Sequence, residues 1–566
     1  MKTSIGTAAG AAAVAFLTTY AVAPVLAADG NTVIRNAAIH TMATDEVEAD
    51  ALAIDAKGVI VAVGKEADVM SKAGPNARMI DLDGKAVLPG FQDTHVHLIE
   101  AGVNEILCEF EPFATLKQTR EAIEACEAET ESEWVFGSGV GMPHLLDQTD
   151  NPVAVLDELV PDRPALILDD IGHAAWANSK ALEAVGYDTI EGNPPGGIIL
   201  RNPDGRPNGI VLENAQQKLR NLAFPDTPEN EEFAYESMLP TLKTFAENGI
   251  TTVSDAGGFW PQGHVKAWET AERNGTLTVR ASNALYVYPD MPFDEQVQKL
   301  AKLYSNDPDR LSKFNQAKLY VDGILEQRTG AVLQPYRKGP GIDHGFESGF
   351  LYFEPPVLND YARALSQIGF KLHFHVTGDR SARLALDAID QADTKPGPHR
   401  LTHLYLLDPA DYGRFRDTGA VVDFQLAPSS LDPDYIAFIR QFIGKRADRM
   451  MPAASLEKSG ATVVMSSDFD ADELSPLVKI QAALERPKEG APDVRTAVKW
   501  MTVNPARLLN QEDRTGTLEV GKYADLVVLD RDIFDIPVGE IGETYVKATL
   551  LQGKPVFDAD SLFAAE

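Results

Sequence analysis

The chain has 566 residues, 44% of them hydrophobic and 24% charged, which is the balance of a folded protein and not of a disordered one. Its 84 acids against 51 bases leave a net charge of -33, which argues against nucleic acid and anionic lipid as partners. Such an acidic balance reads as solubility, in a salty habitat for example.

Residues 1–27 read as a secretory signal peptide. Lys2 is the only charge before Asp29, an alanine-rich apolar run follows, and Val25-Leu26-Ala27 fits a small-residue cleavage site ahead of Ala28. The expected destination is therefore the periplasm or the exterior. The run is too short and too broken by threonines to span a membrane. No later stretch reaches about 18 apolar residues, so no membrane span is expected.

From residue 28 to 88 the pattern is short strands and turns, as in "TVIRNAAIHTM" and "ALAIDAKGVIVAVG". That region is too small to bury much alone. Strand-like segments return in residues 510–566, "GTLEVGKYADLVVLDRD" and "VKATLLQGKPVFD". The expectation is one small β-sandwich assembled from both ends of the chain.

Residues 89–509 alternate strand and helix signals. The strand candidates are "FQDTHVH", "GITTVSDA", "VRASNALYV", "QAKLYVDG", "FKLHFHVTG", "RLTHLYLL", "AVVDFQLA" and "ATVVMSSD". Eight strands with helices between them predict an α/β fold, a TIM-type (β/α)8 barrel. Residues of about 100–228 are too many for one crossover and carry strand and helix signals of their own. They are expected to form an insertion over the barrel mouth. Cys108 and Cys126 lie near its start, and in an oxidising compartment they can pair, but the sequence leaves the bridge open.

The chemistry sits at strand ends. His95 and His97 share one face of a strand, about 7 Å apart by strand rise, and can reach one cation together. His373 and His375 share a face of another strand. His403, Asp468 and Lys318 stand on three more. Burying so many polar groups is costly unless they share a purpose, and a divalent metal serves them all.

This arrangement resembles the amidohydrolase superfamily over nearly the whole mature chain. "VLPGFQDTHVH" is similar to its opening motif and "GTLEVGKYADLVVLD" to its closing one. "HAAWANSKAL", "VDGILEQRTG" and "HVTGDRS" are similar to the amidohydrolase-3, YtcJ-like branch. The resemblance implies His95, His97, Lys318, His375, His403 and Asp468 as metal ligands. It implies a carboxylated Lys318 that bridges two ions, with zinc as the expected metal and one or two ions bound. His375 is preferred to His373 because it lies nearer the strand end and precedes Gly-Asp-Arg. Asp468 is implied as the catalytic group that handles the proton of the attacking water. His173, Trp176, Arg328 and His373 are candidates for the substrate pocket. Val140 stands where the family often carries tryptophan, which leaves the substrate open.

The expected activity is metal-dependent hydrolysis of a non-peptide carbon–nitrogen bond in a small molecule: an amide, N-formyl group, cyclic amide or carbamate. Ester or lactone hydrolysis uses the same attack and stays as an alternative. A deaminase is disfavoured because no glutamate follows His375 closely. A non-catalytic metal-bearing binding protein is the reading of another class. The oligomeric state, homo-oligomer or monomer, is left open.

Overall fold

The computed structural model describes residues 31–44, 48–339 and 341–564, the side chains at positions 105 and 106 apart. The expected signal peptide and its cleavage site lie outside the described residues.

Eight parallel strands form the central sheet: β1 (Phe91–Val96), β2 (Ile250–Asp255), β3 (Arg280–Tyr286), β4 (Ser312–Tyr320), β5 (Lys371–Val376), β6 (Arg400–His403), β7 (Val421–Phe424) and β8 (Thr462–Met465). They follow one another in chain order around the sheet, and they are the eight strands expected from the sequence. Nearly every position in them is buried, because crossover helices cover the outer face and side chains fill the interior. Leu, Val, Ala and Phe supply the apolar share of that packing. Polar residues such as Gln316, Arg400 and Asp423 are buried with them and hydrogen-bonded to one another or to neighbours.

Closure between β8 and β1 falls at the strand ends. Asp468 N donates to His95 O (2.8 Å) and His97 N to Phe469 O (2.6 Å). The contacts that close the barrel thus bring Asp468 beside the His-Val-His of β1.

The chain between β1 and β2 holds a second sheet of six strands, ordered Gly197–Arg201, Pro207–Glu213, Ala174–Ala177, Ala165–Asp169, Val135–Val140, Cys108–Glu109. Helix α1 (Leu98–Ile106) leads into it and a 20-residue helix, Pro228–Glu247, leads out. The two helices pack closely. A Cβ on Gly102 would lie 1.8 Å from the Ser237 carbonyl oxygen, so only glycine fits the crossing. Helix α2 (Leu116–Glu129) opens on a capping box, in which Thr115 and Gln118 each bond the other's backbone N–H. Cys108 on the edge strand and Cys126 on α2 form a disulfide, with their Cα atoms 5.9 Å apart. The question left open by the sequence is answered by this pairing.

Both chain ends do meet. Strands Leu526–Leu529, Val546–Leu551 and Lys554–Asp558 join Thr32–Ile39, Ala49–Ile54, Ile60–Gly64, Arg78–Asp81 and Ala86–Pro89. Hydrogen bonding makes them one branched sheet. One edge of Thr32–Ile39 pairs first with Arg78–Asp81 and then with Ala86–Pro89. A cluster including Ile34, Leu52, Ile80, Val87, Leu526, Val528 and Leu550 is buried between residues from the two ends. Arg280 on β3 and Asp525 form a buried ion pair at 2.5 Å that ties this sheet to the barrel.

Candidate active site

The C-terminal ends of β1, β4, β5 and β6 and the turn after β8 converge on one point. His95 Nε2 lies 3.2 Å and His97 Nε2 3.4 Å from Asp468 Oδ1, and His403 Nδ1 lies 3.6 Å from Asp468 Oδ2. Lys318 Nζ is 3.0 Å from His95 Nε2. The His375 ring packs edge-on against His403 with centroids 4.4 Å apart. All six residues expected to act as ligands are therefore gathered at one end of the barrel. His95, His403 and Asp468 each offer an atom within 4.8 Å of the others.

Backbone strain marks two of these positions. His403 (φ 78) and Asp468 (φ 60) both occupy the left-handed region, which non-glycine residues seldom enter. In each case the turn follows a short strand and carries its side chain toward the shared point. Such strain persists where surrounding contacts over-determine the backbone.

Partners behind the site hold the rings. Arg400 donates to His373 Nδ1 (2.7 Å), and His373 Nε2 lies 2.9 Å from His95 Nδ1. His403 Nδ1 meets Gln425 Oε1 (2.9 Å), whose amide donates to Ser466, whose hydroxyl donates to Asp423. His97 Nδ1 meets Glu100 (2.7 Å), and Glu100 accepts in turn from Arg220 (2.6 Å). His375 Nε2 faces the Gly323 carbonyl at 3.2 Å, while its Nδ1 is buried with no partner among the described residues. Buried polar atoms are rarely left so, and an orphaned imidazole nitrogen suits a ligand waiting for a cation.

The electrostatics fit that use. Burial holds His95 and His375 well below the ordinary imidazole value and His403 down to about 3, so these rings are neutral, as ligands must be. Burial alone would lower His97 too, but Glu100 and Asp468 push it up to about 10. Acids that draw a proton so strongly draw a divalent cation for the same Coulombic reason. Burial would raise Asp468, yet the neighbouring His95 and His403 hold it well below the carboxylate range. Burial brings Lys318 down to about 7, within reach of the neutral amine.

A cavity of about 510 Å³ opens over this point. Barrel residues His97, Tyr320, His375, His403 and Asp468 form its floor, and insertion residues Phe110, Leu168, Ile171, His173, Gln217 and Arg220 form much of its wall. His173 is there as expected, with Nδ1 2.6 Å from Glu213. Burial works against a charge on His173, but Glu213 overrides it and raises the ring above its ordinary value.

Three pocket expectations need correction. Trp176 is fully buried in the core, and its indole N–H donates to the Pro152 carbonyl, because its strand turns it inward between sheet and helix. Arg328 does not line the cavity, since its guanidinium is held by the Ile342 carbonyl (2.5 Å). His373 lies beneath His95 and not beside the substrate space, one strand pitch deeper than His375. Asp379 is the first residue of its helix and accepts from Leu333 N (2.7 Å).

Sequence reading missed Glu100, Arg220 and Glu213. A glutamate three residues after His97, at a helix start, was a findable signal. Glu213 lies 40 residues from His173 and offers none.

A parallel barrel with imidazoles, a carboxylate and a buried amine gathered at its C-terminal mouth defines a class, the barrel hydrolases. The model of the amidohydrolase family Amidohydro_3 matches residues 78–557, and the chain belongs to that family. It is thereby an enzyme of the class that hydrolyses carbon–nitrogen bonds other than peptide bonds. The chain is 27% identical over 547 residues to an N-substituted formamide deformylase of Arthrobacter pascens, covering 92% of this chain and 97% of that one. It is also 27% identical to YtcJ of Bacillus subtilis (strain 168), covering 92% and 98%. Among solved structures, an uncharacterized metal-dependent hydrolase from Pyrococcus horikoshii OT3 shares the fold with a TM-score of 0.69 at 22% identity, over 90% of this chain and 99% of that one. A zinc-bound adenosine deaminase from Xanthomonas campestris shares it at 0.52 and 15%, over 94% of each. Among the described residues no helix is long and apolar enough to cross a membrane.

Proposed function

We propose that this protein is an exported, metal-dependent amidohydrolase that cleaves a small N-acyl compound, with N-substituted formamides the first class to try. The observation that carries it is the convergence of His95, His97, Lys318, His375, His403 and Asp468 on one point, with the His375 Nδ1 unpartnered among the described residues. The deformylase from Arthrobacter pascens, alike over nearly its full length, supports the formamide class.

The four imidazoles and Asp468 would hold a divalent metal, zinc before others, and a carboxylated Lys318 would bridge a second ion. When bound, such a metal supplies a water of lowered pKa and polarises the carbonyl. The chain's own residues do the rest. Asp468 accepts the proton released by the attacking water and passes it to the departing nitrogen. Its hydrogen-bonding neighbours His95 and His97 keep it in carboxylate form for the first of these steps. Lys318, buried and close to neutral, presents the unprotonated amine that carbon dioxide needs to form a carbamate. The apolar walls at Phe110, Leu168 and Ile171 exclude water from the acyl group and hold it over Asp468.

The test is turnover of N-substituted formamides, simple amides, cyclic amides and carbamates by zinc-loaded protein, before and after a chelator. Hydrolysis that disappears with the chelator and returns with zinc is expected. No turnover across the panel, or turnover indifferent to the chelator, removes this reading.

A further inference from the structure

His173 and Glu213 both belong to the insertion, yet they are built against the barrel's metal-ligand residues. The Glu213 backbone N–H donates to the His173 carbonyl (2.8 Å), which joins the two residues where their strands meet. Glu213 takes φ 59, and the turn aims its carboxylate back at the ring. The carboxylate is wholly buried and accepts from three groups: His173 Nδ1 (2.6 Å), the Tyr352 hydroxyl (2.8 Å) and the Thr329 hydroxyl (2.5 Å). Gly323 makes room for it, since a Cβ there would lie 2.0 Å from Glu213 Oε1. Gly323 is also the residue whose carbonyl faces His375, so barrel and insertion are fitted together at this carboxylate.

The His173 ring is thereby fixed. Nδ1 is committed to Glu213, and Nε2 makes no hydrogen bond to the described residues. The ring lines the cavity, and its centroid is 5.2 Å from that of His375 and 6.0 Å from that of Tyr320. Asp468 is grouped with His95, His97 and His403, so His173 faces the substrate space from the His375 side. With Nδ1–H given to a buried carboxylate, Nε2 carries a hydrogen only in the imidazolium, and the buried 2.6 Å ion pair with Glu213 suits the ring to that form, a preorganised donor with one nitrogen left to the cavity.

We infer that His173, as the imidazolium paired with the Glu213 carboxylate, is a further catalytic residue, whose Nε2–H donates to the carbonyl oxygen of the scissile bond, and that Glu213 is its positioning residue. As the attacking oxygen bonds to the carbonyl carbon, the C=O π pair moves onto the carbonyl oxygen, and the hydrogen bond from Nε2–H strengthens with that charge. When the π bond re-forms, the carbon–nitrogen bond breaks, and its pair leaves with the nitrogen, which takes the proton carried by Asp468. His173 ends as it began. Tyr352 and Thr329 act only through Glu213.

This inference rests on the hydrolase reading, and one set of measurements separates the two. The substrate is whichever N-substituted formamide the zinc-loaded wild type turns over. With His173→Ala, kcat is expected to fall on the order of 10²- to 10³-fold, as when an oxyanion donor is removed, with KM changed about threefold or less and zinc content unchanged. His173→Gln, which can put an amide N–H near the Nε2 position, recovers part of the loss. Glu213→Gln keeps the shape of the anchor and falls between, again in kcat and not in KM. The matching formate ester, with a better leaving group, loses as much as the formamide, because the carbonyl oxygen is common to both. An unchanged kcat, a loss confined to KM, a loss that tracks zinc content, or a loss confined to the formamide would each overturn the assignment while leaving the hydrolase standing. A wild type inactive on every substrate would overturn both.

Discussion

Asp468 combines a half-buried carboxylate, a left-handed backbone and contacts to three imidazoles. Asp468→Asn keeps the shape and removes the proton acceptor. Turnover should fall on the order of 10²- to 10⁴-fold, and a thermal melt should stay near that of the wild type. His95→Ala or His97→Ala should lose zinc and activity together, read by elemental analysis beside the assay. His144→Ala is the control, since that ring packs near the exposed Phe113 and does not line the cavity. Unchanged zinc in the two ligand variants would make His-Val-His a core feature. Lys318→Ala should lower the zinc count, and added acetate should restore part of the activity by standing in for the bridging carboxylate. Much of this site was legible because histidine, lysine and aspartate at strand ends are costly without a common use. That His375 and not His373 reaches the cavity was legible as well, since it follows from distance along the strand. Trp176 and Arg328 were misjudged because a motif shows which residues travel together, not which way each side chain turns.

At the scale of elements, the insertion carries its own covalent tie. The Cys108–Cys126 bridge ties an edge strand to helix α2, directly before Glu109, Phe110 and Pro112 at the cavity wall. Thiol labelling of denatured, unreduced protein should find none. Replacing both cysteines by serine should cost roughly 3 kcal/mol, the chain-entropy value for a loop of about this length, read as a lower urea midpoint. Two labelled thiols would show the pair open. Strand existence was readable throughout the barrel from apolar runs bounded by turns. The order of strands in the insertion's sheet was not, because antiparallel and parallel neighbours both occur there and local pattern does not encode pairing.

The whole molecule is held by contacts between residues far apart in sequence. Arg280 and Asp525 are separated by 245 positions and pair almost without solvent, with Tyr523 stacked on the guanidinium at 4.5 Å. Asp525→Ala leaves that guanidinium buried and unpaired, and should cost about 3–5 kcal/mol in chemical unfolding. A loss below about 1 kcal/mol would mean that the end sheet and barrel do not rely on it. Protein purified from its native host should begin at or near Ala28 by mass spectrometry. An intact Met1 on exported protein would remove the export proposal.

The linear chain by itself determined the barrel, the return of its last strands to the first ones and the histidines, lysine and aspartate gathered at the mouth. These are written in local periodicity, in turn residues and in the placing of polar groups on apolar strands, all within a few residues of one another. Only the tertiary structure decided that His373 supports His95, that the cysteines pair, that the chain ends form one branched sheet and that Glu213 anchors His173. Each of these joins atoms brought together by closure of the barrel or by packing of the insertion upon it. The energy that selects such pairs is that of burial and hydrogen-bond satisfaction in the assembled interior, which no short stretch of sequence contains.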